Sequence, residues 1–91
     1  MSDIFRDWSF GGYLRDKRVE KKLTLREAAI KLDMDAGNLS KIERSELNPP
    51  KTSSQIKRIV ERLGLDSFDE NFLNGASFNF WLGQLKKEFH Q

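Results

Sequence analysis

Apolar residues recur with the period of an α-helix along this 91-residue chain. Two stretches have the spacing i, i+3, i+4 and i+7: Leu25, Ala28, Ala29 and Leu32, and then Ile56, Ile59, Val60 and Leu63. A third set extends the spacing to i+11: Phe78, Trp81, Leu82, Leu85 and Phe89. Such spacing places apolar side chains on one side of a helix. Only Phe78 to Leu82 is short and aromatic enough to suggest a strand instead, so the sequence predicts an all-α fold.

Capping residues predict where the first three helices begin. Ser9 can cap a first helix, although the two glycines that follow it weaken the first turn. Thr24 and Glu27 form a capping box, which predicts a second helix from Leu25. Asp35 can cap a third helix beginning at Ala36, because its carboxylate accepts amide protons at the positive end of the helix dipole.

Proline and glycine predict the later boundaries. The third helix must end before Asn48-Pro49-Pro50, since neither proline can continue a helix. A fourth helix is expected from Thr52 or Ser53 to Leu63, with Gly64 as its stop. A short fifth helix should run from Asp66 to Asn74, closed by the turn signal Asn74-Gly75 and followed by a separate last helix.

Composition excludes several classes of site. The chain has no cysteine and one histidine, His90, so neither a disulfide framework nor a zinc site can be built. No stretch approaches the ~18 apolar residues of a membrane span, and no signal peptide opens the chain. Gly11-Gly12 lacks the lysine of a phosphate-binding loop, and no nucleophile is grouped with the carboxylates. We expect a cytoplasmic protein without metal, cofactor or enzymatic activity.

The positive charge is concentrated in the first two thirds of the chain. Residues 1–65 contain 14 Lys and Arg against 10 Asp and Glu, whereas residues 66–91 contain 2 against 4. The first part therefore carries +4 and the second −2. A basic bias of this size fits nucleic acid or an acidic membrane surface, but solvated helices often look similar.

The second and third predicted helices are short and separated only by residues 33–35. Small Ala28 and Ala29 let the third helix approach, and Leu39 and Ile42 supply an apolar wedge between them. Such a pair presents one helix outward as a rod that fits the major groove, which is about 12 Å wide. A generic helical hairpin explains the periodicity equally well.

The particular residues of this unit resemble the helix-turn-helix of lambda-repressor-like (XRE/Cro-type) DNA-binding domains. The resemblance lies in residues 24–35 and 39–44, and it extends to residues 10–15, 48–50 and 63–65. It implies a five-helix DNA-binding domain over residues 9–75 with its motif at 25–44. Residues 76–91 would then form an additional C-terminal amphipathic helix for dimerisation or partner binding.

The resemblance also implies roles for individual positions. The positions that face the groove match Ala36, Gly37, Lys41 and Arg44, with Asn38 and Ser40 near the rim. Arg18 would pair with Glu43 and tie the first helix to the recognition helix. The chain departs from the family at Leu25, where glutamine is usual, and at Asp33, where glycine makes a left-handed turn. Asp tolerates positive φ better than most residues.

The chemistry of these residues is compatible with DNA. Lys41 and Arg44 lie three apart and share a helix face, and arginine can bind guanine O6 and N7 with two hydrogen bonds. Arg26 and Lys51 lie at the starts of the second and fourth helices, where free backbone amides favour phosphate. The alternative is that these cations only belong to a solvated surface. For Arg26 and Lys51 this alternative is nearly as well supported as a role in DNA binding.

Aromatic residues cluster at the two ends of the chain, which suggests an association surface. They are Phe5, Trp8, Phe10 and Tyr13 at the start, and Phe68, Phe72, Phe78, Phe80, Trp81 and Phe89 at the end. Both ends could pack on each other, or form a dimer or partner interface on Phe78, Trp81, Leu82, Leu85 and Phe89. Because one small module makes few phosphate contacts, we expect a homodimer.

The sequence thus predicts a sequence-specific transcriptional regulator that binds double-stranded DNA. A repressor is the expected type, binding an inverted-repeat operator as a dimer through the major groove. The alternative is an antitoxin or other interaction module that binds a toxin or another protein through its aromatic ends. A third hypothesis, a degenerate motif kept only for dimerisation, rests on the departures at Leu25 and Asp33.

Overall fold

Five α-helices make up the part of the chain that the computed structural model describes, residues 9–89 with side chains to residue 87. They are α1 (Phe10–Glu20), α2 (Leu25–Leu32), α3 (Ala36–Glu43), α4 (Ser53–Leu63) and α5 (Ser67–Phe89). Residues 9–89 contain no strand, which confirms the all-α prediction and excludes the strand at Phe78 to Leu82. Phe5, Trp8 and His90 lie outside the described residues. None of the described helices has the length and apolar character needed to cross a membrane.

The helix starts that were predicted from capping residues are confirmed. Ser9 accepts a hydrogen bond from the Gly12 amide, and Asp35 accepts one from Asn38. Thr24 and Glu27 exchange both bonds of a capping box, at 3.1 and 2.9 Å. These bonds satisfy amides that the first helical turn leaves without a partner.

The start and end of α4 also agree with the sequence prediction. Thr52 caps the helix, and a capping box with Gln55, which was not predicted, completes its first turn. Gly64 ends the helix in the left-handed conformation at φ 69°. Earlier in the chain α3 already ends at Glu43, because Ser45 adopts a left-handed φ of 62° before the prolines are reached.

The predicted break at Asn74-Gly75 is wrong, because α5 continues through both residues. The Asn74 side chain donates to the carbonyl of Glu70 in the preceding helical turn and forms no turn of its own. Leu73 and Ser77 on either side are buried, and they hold both halves of the helix against the same core. Tertiary packing therefore overrides the local turn preference.

The core lies between the N-terminal half of α1 and the inner faces of the other helices. Its buried apolar residues are Phe10, Tyr13, Leu14, Ala28, Ala29, Leu32, Leu39, Ile56, Val60, Leu63 and Leu73. Within it the backbones of α1 and α3 come into close contact at Gly11, where a Cβ atom would collide with the Ile42 carbonyl and come within 2.9 Å of the Glu43 carbonyl. Gly11 weakens the first turn of α1 but permits this contact.

A buried polar cluster joins α1 to the start of α5. The Tyr13 hydroxyl donates to Asp69 at 2.6 Å, and the Lys17 ammonium lies 3.2 Å from the same carboxylate. Asp69 and Asp66 also exchange the two hydrogen bonds of a capping box, at 3.2 and 2.9 Å. Asp69 therefore starts α5 and anchors it to α1.

The cluster shifts the pKa values of its three members. Burial and the hydrogen bond to Asp69 raise the pKa of Tyr13 to about 12. Burial alone would raise the pKa of Asp69, but hydrogen bonds from Tyr13, the Asp66 amide and Lys17 outweigh it and hold that pKa below 3.8. Burial opposes the charged form of Lys17, yet its hydrogen bond to Asp69 leaves its pKa raised.

Substituting Gly11→Ala should destabilise the protein by about 2–3 kcal/mol or more, since the new methyl group must push α1 away from the α3 backbone. Gly75→Ala is the matched control. A Cβ at Gly75 meets nothing within 4 Å, so alanine should stabilise α5 by about 0.5–1 kcal/mol. Urea unfolding followed by circular dichroism measures both effects, and equal effects of the two substitutions would contradict the proposed close contact.

Tyr13→Phe should lower stability by about 1.5–3 kcal/mol at neutral pH, because a hydrogen bond to a buried carboxylate is lost. Since the pKa of Asp69 is depressed, its contribution is present above pH ~4 and disappears as pH falls through the folded-state value. The variant should therefore lose less stability than the wild type on acidification. Thermal unfolding between pH 2 and 7 tests this, with Glu61→Gln, an exposed carboxylate of α4, as control. Parallel pH profiles for wild type and Tyr13→Phe would refute it.

Candidate nucleic-acid interface

A two-point ion pair holds α3 against α1. Arg18 Nε donates to Glu43 Oε2 at 2.7 Å and Arg18 Nη2 donates to Glu43 Oε1 at 3.0 Å. The remaining nitrogen, Nη1, donates to the Leu23 carbonyl at 2.8 Å, so the guanidinium also fixes the turn before α2. Glu43 is only 5% exposed, and a buried carboxylate of this kind requires the paired cation.

The face of α3 opposite this anchor points outward. Leu39 and Glu43, four residues apart, are buried, whereas Gly37, Lys41 and Arg44, the C-cap residue of α3, are exposed. At 100° per residue the three exposed positions fall within a sector of about 60° on the side away from the buried pair. This surface, which we call the α3 face, brings together three of the four positions expected to meet the groove.

The fourth position and the two rim positions differ in exposure. Ala36 is half-buried and packs against the core, so only part of its methyl group remains accessible. Asn38 is exposed, and Ser40 is half-buried. Asp35 caps the helix beside them, and a Cβ at Gly37 would come within 2.9 Å of its carboxylate. The start of α3 thus has little side-chain bulk.

The turn between α2 and α3 is built without glycine. Asp33 takes the left-handed conformation at φ 55° and ψ 50°, as the sequence predicted for the position where the family has glycine. Its amide donates to the Ile30 carbonyl, and the next amide, of Met34, donates to Ala29. The helix pair therefore keeps its three-residue turn despite the substitution.

Of the two cations of the α3 face, Arg44 has weak partners of its own. Arg44 Nε donates to the Ser40 carbonyl at 3.3 Å. Arg44 Nη2 lies 3.5 Å from Glu46 Oε1, and the side chains of Arg44 and Glu46 are each more than half exposed. Exposed pairs of this kind contribute only about 0–1 kcal/mol. The contact with Glu46 therefore costs little to break, and Arg44 is available to another partner.

The starts of α2 and α4 carry the two predicted backbone-contact residues. Arg26 is exposed in the first turn of α2. Lys51 is also exposed, but its ammonium lies over the Trp81 ring, 4.4 Å from the centroid. Both helices begin with a capping box, which occupies the amides of Glu27 and Gln55. The amides of the first two helical residues have no partner within the helix.

The predicted association residues lie on α5 in two environments. Phe78, Leu82 and Leu85 are 65%, 36% and 48% exposed, and we call these three residues the α5 face. Trp81 is half-buried, and its indole nitrogen donates to the Pro49 carbonyl at 3.2 Å. The side chain of Phe89 lies outside the described residues.

The family of the chain is defined by its match to a model of the helix-turn-helix domain, which covers residues 9–70. This is more than half of the chain, so the protein belongs to the helix-turn-helix domain family, in agreement with the lambda-repressor-like resemblance. Membership indicates a DNA-binding regulator with DNA as a partner. No curated protein and no solved structure matches the chain.

Two contacts around α3 were not identified from the sequence. Gly11 allows α1 to contact α3, and the only available signal was an otherwise unfavourable glycine pair in a helical first turn. Glu46 lies 3.5 Å from Arg44, and nothing in the spacing of this loop residue distinguishes it from other surface carboxylates.

Glu43→Gln should destabilise the protein by about 3–5 kcal/mol, because it leaves the Arg18 guanidinium buried without a counter-charge. Glu46→Gln, the same chemical change on an exposed residue, should alter stability by no more than about 0.5 kcal/mol. Urea unfolding of the two variants provides the comparison. A Glu43→Gln variant as stable as Glu46→Gln would show that the ion pair does not hold α3 in place.

Proposed function

We propose that the protein is a cytoplasmic, sequence-specific transcriptional regulator that represses by binding an inverted-repeat operator as a homodimer. Residues 9–75 form its DNA-binding unit, and residues 76–91 form its association element, although α5 crosses the boundary between them. The observation that carries this proposal is the α3 face, whose cations project from a short helix fixed on its other side by the Arg18–Glu43 pair.

The α3 face has the chemistry needed to read bases in the major groove. Gly37 and the small part of Ala36 that is accessible allow the start of α3 to approach the DNA closely. Arg44 supplies the paired donors that recognise guanine, and Lys41 supplies a second cation one helical turn earlier. Asn38 and Ser40 flank this row, where they contact the rim of the groove or the DNA backbone.

Backbone binding is assigned to the starts of α2 and α4. Each offers unpaired first-turn amides at the positive end of a helix dipole, and each has a cation beside it, Arg26 or Lys51. Phosphate contacts fix the register of the protein on the duplex but do not select sequence. Asp35 opposes close phosphate approach, so its role is that of a cap for α3.

The α5 face is assigned to association between two copies of the chain. Its three side chains are separated by four and three residues and form one apolar row, of the kind that helices use to pack against each other. A dimer places two copies of α3 on the two halves of an inverted repeat. It also doubles the number of phosphate contacts, which raises affinity at physiological salt.

A second candidate function is the binding of another protein, as an antitoxin that holds a toxin would do. The exposure of Phe78 and Leu85 favours it, because large apolar side chains dominate protein interfaces. Both functions can coexist in one chain if the partner occupies α5 while α3 faces the DNA.

Replacing Lys41 and Arg44 together with Ala should reduce affinity for a selected duplex at least ~100-fold, since each side chain contributes about 1–3 kcal/mol. The duplex is first enriched from a randomised pool with the wild-type protein, and fluorescence anisotropy then measures each affinity. Lys86→Ala with Lys87→Ala removes the same charge from the last turns of α5 and should cost far less. Equal losses in the two double variants, or no enrichment of any sequence, would contradict specific binding through α3.

Replacing Leu82 with Gln should weaken the dimer at least tenfold, because two-fold symmetry places the substitution in the interface twice. Sedimentation across a concentration series measures the dimer dissociation constant. Ile30→Gln is the control, because it changes a side chain on α2 that is 72% exposed. An unchanged dimer in the Leu82 variant, or a monomeric wild type, would refute the proposed interface.

A further inference from the structure

A groove of about 660 Å³ runs between α4 and α5, and Phe78 and Leu85 of the α5 face belong to its lining. Its apolar lining includes Ile56, Phe78, Trp81 and Leu85, and its polar end includes Lys51 and Ser53. Leu82 lies outside it. Pockets for small molecules have volumes of about 300–1,000 Å³ and combine apolar walls with a few polar groups, and this groove meets both conditions.

The walls of the groove are fixed by contacts to the connector before α4. The Trp81 indole donates to the Pro49 carbonyl, and the Ser77 hydroxyl donates to the Pro50 carbonyl. These two bonds hold α5 against the segment that leads directly into Lys51. Little rearrangement is then needed for a ligand to enter, which lowers the entropic cost of binding.

The polar end of the groove is electropositive. Lys51 lies with its ammonium over the Trp81 ring, and α4, an eleven-residue helix, begins at Ser53 with the positive end of its dipole. None of the described residues that line the groove is acidic. An anionic group is therefore attracted to this end, while the apolar wall excludes a ligand that consists of charge alone.

We propose that this groove binds a small amphipathic carboxylate, with an aliphatic or aromatic body and one carboxylate group. The body lies against Trp81, Ile56 and Leu85, and the carboxylate accepts hydrogen bonds from Lys51 and the first amides of α4. Lys51 keeps its contact with the Trp81 face while it pairs with the carboxylate, so the cation–π contact orients it for the ligand.

Ligand binding should weaken DNA binding, because Lys51 and the start of α4 are assigned to both. A carboxylate that occupies them neutralises one cation and uses amides that would otherwise meet a phosphate. By linkage the DNA weakens ligand binding by the same factor. This coupling rests on the proposed function, whereas occupation of the groove does not.

The direct test is titration of the full chain with octanoate and phenylacetate, each compared with its neutral amide. Calorimetry measures affinity, and backbone and indole NMR shifts locate the site. We expect each carboxylate to bind at least tenfold more tightly than its amide, with shifts at residues 51–53 and at the Trp81 indole. Lys51→Gln should abolish this preference, whereas Lys57→Gln, an exposed lysine of α4 outside the groove, should retain it.

Several results would overturn the proposal. The first is that neither carboxylate binds at concentrations up to about 10 mM, and the second is that acid and amide bind equally. The others are an unaltered preference in Lys51→Gln and NMR shifts confined to another surface. Binding to the Leu82→Gln variant but not to the wild-type dimer would show that a second copy fills the groove instead.

A separate measurement with the selected duplex tests the coupling. Saturating carboxylate should lower the DNA affinity of the wild type several-fold and leave that of Lys51→Gln unchanged. If ligand binds but DNA affinity does not change, the coupling is refuted and the site stands. If no duplex is bound without ligand, the proposed function fails, and the ligand titration is unaffected.

Discussion

The pairing of Arg18 with Glu43 is the interaction on which the arrangement of the interface depends. α3 has eight residues, too few for a stable isolated helix, so its shape and direction come from what it packs against. Leu39 supplies apolar contact, and Gly11 allows the α1 backbone to come close. The ion pair fixes the orientation of α3 relative to α1, because a guanidinium and a carboxylate joined by two hydrogen bonds permit only a narrow range of geometries. The opposite face of α3 is consequently held rigid and exposed.

The segment from Pro49 to Lys51 connects the three surfaces to which functions are assigned. It follows the end of α3, accepts hydrogen bonds from two residues of α5, and leads into the first turn of α4. A change on α5 can therefore reach the start of α4 through short, direct contacts rather than through the core. This contact path is the physical basis of the proposed coupling, in which a ligand held between α4 and α5 acts on the start of α4.

The features that could be predicted from the sequence are those decided within a few residues. The capping box of Thr24 and Glu27 spans three positions, and the left-handed turn at Asp33 depends on one residue type, so both were correct. The Arg18–Glu43 contact was expected only from resemblance to a family. The features that local sequence signals did not predict depend on contacts between distant residues. α5 continues through Asn74 and Gly75 because Ser77 donates to the Pro50 carbonyl and Leu73 is buried in the core. Likewise, Asp69 starts α5 and also meets Tyr13, which is 56 positions away.

The central claim is that the α3 face, and not merely a basic surface, contacts DNA. Amide NMR shifts of the protein on titration with a duplex enriched for binding test it most directly. We expect the largest changes at residues 37–44 and smaller changes at the starts of α2 and α4. An unrelated duplex at the same salt concentration should not reproduce them. Changes confined to α5, or identical changes with both duplexes, would contradict it.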